Sequence, residues 1–451
     1  PYAVQQPGNY VAQAPAYSTQ PPAGYSSQPP IVGAPPAGTI YQPASQPGGY
    51  PPGYGAGPID QPGNNSFLPG PEPEPILPDN RPRIPVDIYL NEAQTGRFMF
   101  GAGVNSNAGL VGSIILDEQN FDWRRFPTSW EDFRAGRAFR GDGQKFRIEA
   151  APGTQVSRYM FNFAEPYLLD TPVSLGLSGY YFQRFYQDWT EARTGGRTSL
   201  GYQFSPDLSG SLAFRGENVN ISNPIPEDTN NPLMKSVLGN TTLLGFTGTV
   251  AWDTRDSTFL PTQGAYIALA VGYTEGSFQY ATYTIDFRKF FLMRQRPDGS
   301  GRHVLSFYNQ FGITGDDTPI YERFYAGGFS TLRGFQFRGA SPVADAIVPP
   351  LAPTDATIQV GGNFQNLSSL EYMFPLTADD MLRAVVFCDF GTVEQDVRID
   401  WNDFRVAPGM GLRISLPAMG PAPIAIDFAV PVAYADTDER QLVQFFVGYS
   451  R

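Results

Sequence analysis

The sequence has one cysteine, Cys388, and one histidine, His303, in 451 residues. A single cysteine closes no internal disulfide, and one histidine beside it gives no cluster with metal-ligand spacing. Zinc chemistry and a Cys/His catalytic pair are therefore not expected, and no cofactor or metal is called for. Lysine is nearly as scarce: Lys145, Lys235 and Lys289 stand against 28 arginines, and the formal net charge is −12. Nucleic-acid binding rests on basic side chains that neutralise phosphates, so nucleic acid is excluded as a partner. No run of about 18 apolar residues occurs, which removes a helical membrane span. Nucleophile elbows and glycine-rich phosphate loops are missing too, and no catalytic residue is assigned.

What the chain does contain is unevenly spread. Of its 43 prolines, 22 fall at or before Pro85, and Asp60 is the only charged residue before Glu72. Residues 1–83 repeat Pro, Gly, Gln, Ser, Ala and Tyr, as in QPPAGYSSQPP. Their apolar content is too thin to offset the entropy of ordering, so this tract is expected to be disordered or locally polyproline II. It reads as a flexible linker or as a ligand for aromatic-lined grooves. In the bridge that follows, residues 84–96, Val86, Ile88 and Leu90 alternate with Asp87 and Tyr89 as in one edge-type strand that needs a sheet to join. The chain opens at Pro1 with neither Met nor a signal sequence and is expected to continue upstream in a longer precursor.

From residue 97 to 451 the pattern changes to period 2. Tyr159, Phe161 and Phe163 alternate with Arg158, Met160 and Asn162; Ile424, Ile426 and Phe428 alternate with Ala425, Asp427 and Ala429. Such alternation gives each strand an apolar face and a small or polar one. Segments bounded by turn residues number about 16, each about ten residues long, which fits an all-β, antiparallel transmembrane β-barrel with its apolar face to lipid. Tight connections near 169 and 205 alternate with long ones at 223–239 and 316–360, as expected of two unlike rims. Aromatics near strand ends, Tyr180, Tyr181, Phe182, Phe290 and Phe291, are candidates for interfacial girdles. Residues 122–144, rich in Trp, Phe and Arg, are too long for a tight turn. They fit either an amphipathic stretch on the membrane surface or an ordered, partly packed turn.

The longest connection holds YAGGFSTLRGFQFRG. Its Arg333, Gly334 and Phe335 resemble the RGF loop motif of the BamA superfamily of outer-membrane assembly factors and secretion translocators. Two further matches follow in order: LEYMFPL, with Glu371, and VVFCDFG, whose Phe387, Asp389 and Gly391 resemble the family's Phe-x-Asp-x-Gly strand. PGMGLRISLP and PIAIDFAVPV, with Asp427, resemble its penultimate strands, and residues 84–96 resemble the closing strand of its last POTRA domain. Period 2 points Asp389 and Glu371 into the lumen, where a loop arginine can meet both in charge-assisted hydrogen bonds. Two carboxylates with Arg333 between them suit a lock and not a proton shuttle.

The resemblance implies a factor that folds and inserts β-barrel proteins into the outer membrane, without enzymatic chemistry. Its loop would be locked to the wall through Arg333, Gly334, Phe335, Glu371, Phe387, Asp389 and Gly391. The first strand, with Gly101 and Gly103, and the last, with Phe445, Val447 and Gly448, would form a lateral gate that templates client strands. Implied partners are unfolded outer-membrane β-barrel clients, outer-membrane lipids and periplasmic accessory lipoproteins. POTRA domains are expected before Pro1. A secretion translocator of the same superfamily, a passive porin and an outer-membrane enzyme are the alternatives.

Overall fold

The computed structural model describes residues 95–447 apart from 259, 348–355 and 416–423. Gly448, residues 1–83 and all of the bridging strand up to residue 94 lie outside the described residues.

The alternating segments become strands, each joined to the next as an antiparallel hairpin. Eleven precede the long connection: β1 Gly96–Asn105, β2 Gly109–Phe121, β3 Gln144–Ala151, β4 Val156–Glu165, β5 Val173–Phe185, β6 Thr190–Gln203, β7 Leu208–Ser222, β8 Gly239–Asp253, β9 Gly264–Gly276, β10 Tyr280–Arg294 and β11 His303–Thr314. Five follow it: β12 Phe364–Pro375, β13 Leu382–Glu394, β14 Arg405–Ile414, β15 Ile424–Ala429 and β16 Val443–Val447. They form one 16-stranded sheet in strict chain order.

The two faces of the sheet have opposite chemistry. On β8, Leu244, Phe246, Val250 and Trp252 are exposed on one face, while Thr241, Leu243, Thr249 and Ala251 are buried on the other. On β9, Leu269, Val271 and Tyr273 continue the exposed apolar face. Large apolar groups outside and small or polar groups inside mark a barrel whose solvent is lipid. Of the girdle candidates, only Tyr181 and Phe291 are exposed in this way. Tyr180, Phe182 and Phe290 are corrected to the interior: Phe182 and Phe290 are buried, and the Tyr180 hydroxyl donates to Glu217. Adjacent residues on a strand take opposite faces, so a run of aromatics cannot all reach lipid.

Hairpin topology puts the start of β1 on the same rim as the connections 122–143, 166–172 and 204–207. The opposite rim carries 223–238 and 315–363. There, helix α2 (Pro232–Val237) is capped by the Asn231 side chain, which accepts from the Leu233 N–H. Its Met234 and Val237 pack with Trp189, Ile221, Ile320 and Ile358 in a core that closes this end. The connection 315–363 turns inward: Phe324, Leu332 and Phe335 pack against Leu367, Val393 and Ala407 of β12, β13 and β14. A connection that buries its own apolar residues inside the barrel is a plug fixed by packing.

Candidate functional site

The inward loop brings Arg333 against the wall, where it is 1% exposed. Its Nε donates to Asp389 Oδ2 and its Nη2 to Asp389 Oδ1, both at 2.8 Å, a bidentate fork. Its backbone N–H donates to the same carboxylate at 3.0 Å. Nη1 donates to Glu371 Oε2 at 3.0 Å and to Asp427 Oδ2 at 3.4 Å. Ser369 supplies an acceptor to Nη2 at 3.2 Å and donates its own proton to Asp389. The guanidinium carbon lies 3.2 Å from the centroid of the Phe387 ring, so one face of the cation meets π density while its edge meets carboxylates.

Phe387 and Asp389 share the inward face of β13, and Glu371 and Ser369 that of β12. Glycines on β14 make the space. A side chain at Gly409 would strike the Phe387 ring, and one at Gly411 would strike the Asp427 carboxylate. Gly334 sits at φ +94, with Pro431 and Ala429 closing the room for a Cβ. Gly334 and Phe335 pair with Arg440 and Gln441, and the fully buried Phe335 accepts from Gln444 Nε2 through its carbonyl at 2.6 Å. Gly391 lies at φ +147 farther along β13 and touches the backbone of Asn366 instead of Arg333.

Sequence reasoning did not assign Asp427 to this cluster. The signal was available: Ile426 and Phe428 are exposed, so period 2 sends Asp427 inward as it sends Asp389. Arg413 donates to both oxygens of Asp427, at 2.6 Å to Oδ1 and 3.0 Å to Oδ2, the oxygen that also accepts from Arg333.

A second charged cluster was missed entirely. Glu322, in a short helical turn of the same loop, is 3% exposed. It accepts from Arg193 Nη1 at 2.5 Å, Arg215 Nη2 at 3.3 Å and the Tyr280 hydroxyl at 2.8 Å. Arg193 also donates to Glu191, to Glu217 and to the Tyr321 carbonyl, and Arg215 donates to Glu217 at 2.8 Å. The loop is thus held to β6 and β7 by ions as well as to β12, β13 and β15.

At the other proposed feature, the seam, Gly101 and Gly103 lie on β1 opposite Ser113 and Val111 of β2. Phe445 and Val447 lie on β16 opposite Ile426 and Ile424 of β15. Among the described residues β1 and β16 share no ladder. Just beyond β1, the Ser106 N–H and hydroxyl donate to the Phe445 carbonyl at 3.3 and 3.4 Å.

Comparison with known proteins follows this geometry. The chain is 20% identical over 357 residues to the outer membrane protein assembly factor BamA of Nitratidesulfovibrio vulgaris, a match covering 76% of this chain and 40% of the relative. With BamA of Neisseria meningitidis the identity is 23% over 355 residues, covering 72% and 40%. With a SAM50-like protein of Drosophila melanogaster it is 29% over 217 residues, covering 44% of each. The chain therefore spans well under two thirds of the length of these relatives. Its fold resembles the crystal structure of BamA from Haemophilus ducreyi lacking POTRA domains 1–3, with a TM-score of 0.63 and 19% identity over 79% of this chain and 70% of that one. The Omp85 superfamily domain matches residues 138–450, so this outer-membrane β-barrel belongs to the Omp85 superfamily.

Proposed function

We propose that this chain is the barrel of an assembly factor that folds and inserts client β-barrel proteins into the outer membrane. The activity is non-covalent: the edge of β1 templates an incoming strand by β-augmentation, and the inserted loop is locked to the wall through Arg333, Glu371 and Asp389. Unfolded β-barrel clients, outer-membrane lipids and periplasmic accessory lipoproteins are the partners of this reading. The assembly-factor names of the two BamA relatives support it.

One observation carries the proposal. The last strand is fastened from inside, through Gln444 to the Phe335 carbonyl and through Phe446 stacked on Phe329 of the loop at 5.1 Å. Toward β1, the Ser106 N–H donates to the Phe445 carbonyl at 3.3 Å. A seam held on one side by the loop can open without unseating β16.

The test is a disulfide across the seam, made with Ser106→Cys and Phe445→Cys in a Cys388→Ser background. With the protein reconstituted in liposomes, the crosslink should abolish insertion of an unfolded client barrel, and a reductant should restore it. Undiminished assembly by the crosslinked form would overturn the gate. Peptide passage or steady conductance without assembly would identify a translocator or a porin instead.

A further inference from the structure

The connection 122–143 joins β2 to β3 on the rim where β1 begins, and among the fully described connections of that rim, 166–172, 204–207, 295–302 and 376–381 being the others, it is the longest. It is a built element. The Asp122 N–H donates to the Phe139 carbonyl at 2.8 Å, and the Phe139 N–H donates to that of Arg125 at 2.9 Å. At its centre stands helix α1, Trp130–Arg134. The Asp132 carboxylate accepts from the Thr128 hydroxyl and N–H and from the Ser129 N–H, closing the first turn. Those bonds, the Thr128 hydroxyl first, hold the Asp132 carboxyl down to about 2.

This ordered element leaves large aromatics uncovered. Trp130 is 81% exposed and Phe126 66%, with Trp123 and Phe133 half exposed. A fold that fixes its backbone and still presents such rings to the outside has a partner for them. The rings also continue a surface already described. Phe146 of β3 and Phe163 of β4 lie directly opposite each other, on the outward face with Ile148 and Phe161. Phe121 stacks on Phe146 at 4.8 Å and meets Phe163 at 6.3 Å. From Phe121 the contacts run to Phe139, then to Phe126 and Phe133, and from Phe133 to Trp130. The lipid-facing side of the barrel therefore passes without a break into the exposed face of this connection.

Its charge has the matching sign. Five arginines, at 124, 125, 134, 137 and 140, stand against four acids in a chain of net charge −12. Three of those acids are engaged at home: Asp132 in the cap, Asp122 by the Arg124 N–H, and Asp142 by Gln144. Tryptophan and phenylalanine at the acyl boundary with arginine at headgroup level is the arrangement of an interfacial segment.

We propose that residues 122–143 form an interfacial anchor, with Trp130, Phe126 and Phe133 seated at the acyl boundary of the leaflet at this rim and Arg124 and Arg134 on the phosphates of anionic phospholipids. The inference rests on the barrel spanning the membrane and does not need the assembly reading.

The test uses the whole chain, reconstituted in phosphatidylcholine vesicles with or without phosphatidylglycerol, and requires no client. The difference in emission between wild type and Trp130→Phe isolates the Trp130 signal, and lipids brominated on the acyl chain near the headgroup serve as quencher. At least a twofold loss of that signal is expected, growing with phosphatidylglycerol in the wild type and not in Arg124→Gln/Arg134→Gln. A Trp130 signal unaffected by brominated lipid would overturn the proposal and leave a protein partner to cover the aromatics. Quenching that ignores phosphatidylglycerol in the wild type would overturn the anionic-lipid assignment. Heat-modifiable mobility of each variant checks that the barrel is folded.

Discussion

At Arg333 the loop supplies the cation and the wall supplies the acids; a short way upstream, at Glu322, the loop supplies the acid and the wall supplies the cations. Each cluster sets two guanidiniums against three carboxylates: Arg333 and Arg413 with Glu371, Asp389 and Asp427, and Arg193 and Arg215 with Glu191, Glu217 and Glu322. The difference lies in redundancy. Arg333 alone joins Glu371 to Asp389 and Asp427, so one side chain carries the ionic contact of that segment with three strands. Glu322 enters a set of charges that already satisfy one another, because Arg193 and Arg215 both hold Glu217 without it. Removing one partner from a buried ionic cluster costs most where the survivors have no alternative.

This contrast orders the consequences of substitution. Arg333→Ala leaves Asp389 and Glu371 facing each other with no cation between them, and a loss of about 3–5 kcal/mol of barrel stability is expected. Heat-modifiable mobility and protease access to residues 316–360 read it out; wild-type behaviour in both would show that packing alone holds the loop. Glu322→Gln keeps the volume and one acceptor while Arg193 retains Glu191 and Glu217, so a smaller loss of about 1–3 kcal/mol is expected. An effect as large as that of Arg333→Ala would mean that the two attachments are equal and would break the comparison. Glu371→Gln should cost least, about 1 kcal/mol, because Glu371 makes a single contact with Arg333 and keeps some exposure to the lumen. Urea titration of the folded barrel in detergent compares the three variants on one scale.

Much of this was legible before any coordinate. Period 2 marked the strands, since side-chain direction in a strand is fixed by geometry, whereas connection length did not separate the rims: the long 122–143 shares a rim with the tight 204–207. The RGF segment with the Glu371 and Asp389 strands pointed to the first ionic cluster because those residues form recognisable local motifs. Glu191, Arg193, Arg215 and Glu217 have no such mark. They read as ordinary polar residues on the inner face of a wet barrel, and their partner Glu322 comes from more than a hundred positions away, joined by a fold that no local pattern encodes. Asp427 was an intermediate case: its direction was readable from Ile426 and Phe428, but its meeting with Arg333 depends on how far the loop descends. The aromatic runs misled for a simpler reason, as Tyr180 and Phe182 face the lumen while Tyr181 between them faces out.

The opposite signs of Glu322 and Arg333 also act on how the loop finds its place. Entered the wrong way round, the loop would present Glu322 to Glu371, Asp389 and Asp427, and Arg333 to Arg193 and Arg215. Like charges brought together out of water repel strongly, so that arrangement is penalised at both ends at once. The two side chains thus give the connection a polarity along its length, an acid matched to Arg193 and Arg215 at one contact and a cation matched to Glu371, Asp389 and Asp427 at the other.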